Sequence, residues 1–351
     1  MLRHALNPRI HQSANCGIIS RMNAKTIVRA ALVAACVATS PALSAKQLKV
    51  LAIGNSFSVC VLKEMPQCAA AAGETLDIAS LYIGGCPLDR HWSNVEKAGD
   101  PEFKPYGFSY NYASVKDAKD APVAKLGGRT NIPQALVADR WDVVTIQQAS
   151  PKSPFYDTYQ PYADNLIAKI RELAPQAEIV IQETWSYTPY ATALLKKWSM
   201  TPETMYEAIK ASYGKLAAKH NLRTIPTGDA VQLYRRKLPV TYGKILSSKE
   251  IAEIKQPGTV DFHGDPAGNS TWRKGRKNEK DPDTVRLRID SIHLNREGHY
   301  LQGCTWLAAL FGTDVTKLTY APEWMPAEKA KLIRACAAEA VAAEIKGRVK
   351  R

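Results

Sequence analysis

Apolar positions recur along the chain in two rhythms. Short, mostly apolar runs at 48–53, 76–83, 142–147, 178–182 and 223–227 alternate with longer stretches whose apolar residues return every three or four positions. Those stretches are 62–72, 132–139, 159–173, 202–220, 230–237, 296–311 and 327–346. The first rhythm suits strands buried on both faces, and the second suits amphipathic helices. Val-, Ile- and Leu-rich strands separated by helices predict a three-layer α/β/α sandwich around a mainly parallel sheet. Ligands of such sheets gather at the carboxyl ends of the strands. Two stretches, 93–129 and 238–288, break the rhythm. Both are polar and rich in Gly, Pro or charge. They read as loops or insertions at the rim of a single domain spanning 46–351. No internal repeat is visible.

The first 45 residues fall outside this pattern and read as an export signal. Arg21, Lys25 and Arg29 precede a short apolar run at 30–38, and small residues follow up to Ser44-Ala45. That order predicts cleavage after Ala45, with Met22 as an alternative start. The run is far shorter than the ~20 residues that span a bilayer, so no stable membrane span is expected. A lipoprotein signal ending at Cys36 is the minor alternative. The expected destination is the periplasm or the medium.

Composition narrows the function classes. The formal charge is +14, but the leader carries five of the 47 Lys and Arg and none of the 33 acids, leaving +9. Much of that excess sits at Arg273, Lys274, Arg276, Lys277 and Lys280, a run that reads as a solvated loop. No nucleic-acid-binding pattern accompanies it. Five cysteines follow the leader: Cys60, Cys68, Cys86, Cys304 and Cys336. An odd count leaves at least one thiol free, and a bridge between Cys304 and Cys336 is one option. None has Cys-x-x-Cys spacing, and Asp261, His263 and Asp265 fit no defensible ligand set, so no metal is expected.

Four motifs carry candidate chemistry. Gly54-Asn55-Ser56-Phe57-Ser58 follows the first strand directly, where a serine stands at the sheet's carboxyl edge with its N–H available to developing negative charge. Alone, it also reads as a turn capping a helix. Asp290-Ser291-Ile292-His293 precedes a helix. An Asp three residues before a His can fold back onto the imidazole and fix its tautomer. Gly84-Gly85-Cys86 follows the second strand, and a glycine N–H there can approach a reacting oxygen. Gln147 and Gln148 end the third strand, where a carboxamide can donate to an oxyanion. His91 and Trp185, with Tyr187, lie close behind strand ends and are candidate substrate contacts, although such aromatic residues more often fill cores.

In this order and spacing the chain resembles the SGNH/GDSL hydrolase superfamily, over roughly 48–311, and most closely a branch with Gly-Asn-Ser at the nucleophile and a Gly-Gly-Cys turn. The resemblance implies an SGNH/flavodoxin-like fold and an acyl-ester hydrolase without cofactor. Ser56 is then the nucleophile, His293 the base and Asp290 its orienting acid. The N–H groups of Ser56 and Gly85 and the amide of Gln147 would form the oxyanion hole, with Gln148 as the alternative donor. The family's third block, Gly-x-Asn-Asp, is here Gln147-Gln148-Ala149-Ser150. Export and an open rim point to O-acetylated or otherwise esterified carbohydrate, small or polymeric, with short-chain lipid esters second. Nothing in the sequence sets an oligomeric state. The alternative of a different class is an exported glycan-binding protein on the same scaffold without catalysis.

Overall fold

The computed structural model describes residues 45–238, 241–275 and 280–349. Residues 1–44 of the expected leader, with Cys36, and the basic residues Arg276 and Lys277 lie outside the described residues. A seven-stranded sheet runs in the order β4-β3-β2-β1-β5-β6-β7. Its strands are β1 (Gln47–Gly54), β2 (Thr75–Tyr82), β3 (Tyr106–Tyr112), β4 (Arg129–Thr130), β5 (Val143–Ile146), β6 (Glu178–Gln182) and β7 (Arg223–Ile225). The five strands from β2 through β7 in this order are parallel, while β3 and β4 add an antiparallel edge. This is the three-layer, mainly parallel arrangement that the sequence predicts.

Burial explains why the central strands are so apolar. Val50, Leu51, Ile53, Val144, Ile146, Val180 and Ile181 are at most 1% exposed, because helices cover both sheet faces. On one face α3 (Leu88–Glu96) packs on α4 (Ile132–Leu136) and α5 (Tyr162–Leu173). On the other, α10 (Arg296–Phe311) packs on α2 (Met65–Ala71), α8 (Thr227–Lys237) and α11 (Ala327–Val349). The remaining helices are α1 (Ser56–Val59), α6 (Thr192–Lys197), α7 (Pro202–His220) and α9 (Ser248–Glu253). Helix α7 starts where the sequence signals it should, at a capping box of Thr201 and Thr204 with Pro202 in the first turn, and stops at left-handed Asn221.

The two rhythm-breaking stretches are not simply loops. The 93–129 stretch supplies β3 and β4, which extend the central sheet. Strand β3 alternates buried and exposed residues because it lies near the edge, so it lacks the continuous apolar run of its neighbours. The 238–288 stretch supplies α9 and most of a two-stranded antiparallel sheet, β8 (Ala267–Lys274) and β9 (Val285–Leu294). All five cysteines that follow the leader are buried free thiols, so Cys304 and Cys336 are not bridged. Among the described residues no helix is long and apolar enough to cross a membrane.

Candidate active site

The serine motif becomes a tight turn at the carboxyl end of β1. Gly54 is obligatory there for space. A Cβ on it would stand 2.5 Å from the Ser58 Cβ and 3.3 Å from the Gln147 Cδ. Asn55 caps α1, its Oδ1 accepting the Phe57 N–H at 3.0 Å, and leaves Ser56 as the first helical residue. The carbonyl of Phe57 accepts from two fully buried glutamine side chains, Gln182 at 2.7 Å and Gln302 at 3.0 Å. The turn is thus tied to the end of β6 and to α10. A second turn docks beside it. Cys86 N–H donates to the Ile83 carbonyl, Gly85 takes φ +60°, and Asn55 Nδ2 donates to the Cys86 carbonyl at 3.0 Å. The Gly84-Gly85 pair is therefore a turn that needs a left-handed residue, and Gly85 is exposed.

The histidine motif does not lie in a simple turn. It sits in a bulge near the end of β9. Asn269 pairs with Asp290 and Ala267 with Leu294, so Ser291-Ile292-His293 stands opposite Gly268 alone. A bulge of this kind re-aims side chains that a regular strand would alternate. The folded-back chain lets Asp290 Oδ1 accept the N–H groups of Ile292 and His293 at 3.1 and 3.0 Å. Gly268 makes the bulge possible: its φ is +83°, and a Cβ there would fall 2.3 Å from the Phe262 ring. The loop after β6 clamps the bulge from the far side. Thr188 donates its N–H and hydroxyl to the Ser291 carbonyl at 3.0 and 3.1 Å, and the Trp185 indole donates to the Ile292 carbonyl at 2.9 Å. Asn295 then caps α10 and donates to the carbonyls of Asp265 and Gly268.

These supports bring the two motifs together. His293 Nε2 lies 2.7 Å from Ser56 Oγ, and His293 Nδ1 lies 2.9 Å from Asp290 Oδ2. An ionised carboxylate only accepts, so the Nδ1 proton belongs on the Asp290 side and Nε2 is left to accept from the serine hydroxyl. Burial pushes the Asp290 carboxyl up, but the His293 imidazole and the two backbone N–H groups outweigh it and hold the carboxyl at about 2. Asp290 and His293 side chains are each 37% exposed, so the constellation opens to solvent. Phe57 stacks on Trp185 at 4.1 Å and tilts against the His293 ring at 5.4 Å, which fixes the imidazole's apolar face.

Five residues considered for the site have other places. Gln147 is 2% exposed, and its Nε2 donates at 2.8 Å to Asn55 Oδ1. It braces the turn from below because the strand end points it at Asn55. Gln148 is committed elsewhere as well, accepting from Leu88 N–H and donating to Thr158. His91 and Trp185, the candidate substrate contacts, are both fully buried here and do not face the open site. Helix α3 turns His91 inward onto the Tyr106 hydroxyl at 2.8 Å, and burial lowers its imidazole to about 4. Trp185 is the clamp described above, and Tyr187 is buried with its hydroxyl on Ser150. Asp265, from the dismissed metal trio, forms a buried ion pair with Arg235 at 3.0 Å. The clamp residues Thr188 and Gly268 carried no sequence signal. Asn55 did, as the middle of Gly-Asn-Ser, and its bonds to both turns show why that position is an amide.

A crystal structure of a DUF4886 family protein from Bacteroides uniformis is 26% identical, with a TM-score of 0.62, covering 84% of this chain and 95% of that one. A candidate SGNH hydrolase from Slackia heliotrinireducens (19% identity, TM-score 0.35, 57% and 89% covered) and a candidate GDSL-like lipase from Parabacteroides merdae (12%, 0.36, 76% and 97%) are more remote. No curated protein matches the chain. The family model described as a domain of unknown function, DUF4886, matches residues 49–241, from β1 to just beyond α8. That match takes in more than half of the sequence, and on it the chain belongs to the DUF4886 family.

Proposed function

We propose that this protein is an exported serine ester hydrolase. The observation that carries the reading is the 2.7 Å contact between Ser56 Oγ and His293 Nε2, two side chains 237 positions apart in sequence. Ser56 Oγ attacks the ester carbonyl carbon while Nε2 takes the hydroxyl proton. The imidazolium so formed is stabilised by Asp290 through the Nδ1–H bond. The carbonyl oxygen becomes an oxyanion facing the Ser56 N–H, which has no partner among the described residues, and the N–H of the exposed Gly85. Collapse of the tetrahedral intermediate breaks the ester C–O bond, and His293 gives its proton to the departing alcohol. A water molecule then repeats the sequence on the acyl-serine and releases the acid.

The resemblance to SGNH/GDSL hydrolases and the solvent-open site support an ester of an accessible polymer or small molecule, with esterified carbohydrate the first substrate class to test. The inward-facing Gln147 favours a second reading, a glycan-binding protein whose oxyanion hole lacks its side-chain donor. Turnover of p-nitrophenyl acetate separates them. The hydrolase reading expects activity in the native chain and its loss in Ser56→Ala with an unchanged melting temperature. Equal rates in both chains contradict it.

A further inference from the structure

A groove of about 1070 Å³ lies between β9 and the 245–256 segment. None of the Ser56–His293–Asp290 constellation lines it, yet Ile289, on its wall, directly precedes Asp290. Strand β9 therefore carries Leu287 and Ile289 into the groove and Asp290 toward the site, as alternation along a strand requires. Ile251 and Ile254 form the opposite wall, and Trp272, paired in register with Leu287, is fixed by its indole bond to the Gly258 carbonyl at 2.9 Å. These apolar side chains are half-buried rather than covered. The volume is just above the roughly 300–1,000 Å³ common for small-molecule sites.

The charge around the groove is one-sided. Among the described residues, Lys255 and Arg286 are the only cationic or anionic side chains that line it, and no described Asp or Glu does. Lys255 has no ion pair among the described residues, while Arg286 is exposed, pairs with Asp281 at 3.0 Å and stands opposite Arg273 in the β8–β9 register. An apolar trough with a basic rim complements an alkyl chain that ends in an anion. Like charges set opposite each other across a hairpin are unfavourable, and Asp281 beside Arg286 offsets only part of that here.

We propose that this groove binds a long-chain carboxylate, its alkyl chain between Ile251 and Leu287 and its head at Lys255 and Arg286. The proposal goes beyond the hydrolase reading and does not depend on it, since binding is read without turnover. Isothermal titration of the full chain with octanoate, decanoate and dodecanoate below their micelle concentrations tests it. Affinity should rise about fourfold per added methylene, the gain from burying one CH₂ group. Dodecyltrimethylammonium should bind about tenfold weaker than dodecanoate, and Lys255→Glu, on the surface, should reverse that preference. Leu287→Glu should abolish binding, with far-ultraviolet circular dichroism checking its fold, and Ser56→Ala should bind as the native chain does. Absence of dodecanoate binding, affinity independent of chain length, or equal affinity for both head groups overturns the proposal. So does a dimer lost in Leu287→Glu without carboxylate binding, which would assign the groove to a second copy.

Discussion

The indole N–H of Trp185 donates to the carbonyl of Ile292, the peptide that leads into His293. The same indole stacks on Phe57, the residue after Ser56. One buried ring thus touches both halves of a constellation assembled from opposite ends of the described chain, and it does so without reaching solvent. Trp185→Phe keeps the stack and removes the hydrogen bond. Steady-state kinetics on a p-nitrophenyl ester should show kcat lowered about tenfold with KM little changed, and a stability loss of about 1 kcal/mol. An unchanged kcat would mean that the bond does not position His293.

Gly268 permits the bulge that aims the imidazole. Gly268→Ala places a Cβ 2.3 Å from the Phe262 ring on a backbone at φ +83°. Overpacking and left-handed strain together should destabilise the fold by roughly 2–4 kcal/mol, and the bulge should shift. Urea unfolding checks the first effect and kcat the second. Neutral behaviour in both would sink the role given to this glycine.

Gln147 and Asn55 form one unit, so their substitutions should not add. Each of Gln147→Ala and Asn55→Ala removes one side of a 2.8 Å bond under the serine turn. Each should lower kcat, by about tenfold or more, and the double variant should be no worse than the worse single. An independent oxyanion role for Gln147 would appear instead as multiplied losses.

His91 should make stability depend on mildly acidic pH. The Tyr106 hydroxyl accepts from Asn94 and lies 2.8 Å from His91 Nδ1, while the buried Nε2 has no partner among the described residues, so nothing there compensates a second ring proton. Burial lowers this imidazole from 6.5 to about 4 in the folded state. The unfolded chain therefore takes up the proton first. The neutral ring's contribution is complete above pH 6.5 and is lost as pH falls toward 4, an effect on the order of 1–3 kcal/mol. His91→Gln should flatten the fall in melting temperature between those pH values. An identical profile in the variant would contradict the assignment.

The parallel core and the motif order were legible in the chain because both are local patterns. Five apolar runs gave five of the seven sheet strands, and the helices at 202–220 and 296–311 are observed as predicted. The antiparallel edge was hidden because Tyr106–Tyr112 alternates, as an edge strand does, inside a polar stretch. The placement of Ser56, His293 and Asp290 followed from motif identity. What holds them did not. The contacts of Thr188, Gly268 and Gln302 join segments from 23 to 245 residues apart, and no periodicity records them. For His91 and Trp185, proximity to a strand end does not tell whether a ring faces a pocket or the core. Packing turned both inward.

Exposure of the full chain to a fluorophosphonate, followed by peptide mass spectrometry, reads the nucleophile itself. A single covalent adduct is expected on Ser56, absent from Ser56→Ala and slowed by on the order of 10³-fold or more in His293→Ala, because the imidazole must take the hydroxyl proton. Labelling that leaves Ser56 unmodified, or that proceeds at the native rate without His293, would contradict the hydrolase reading.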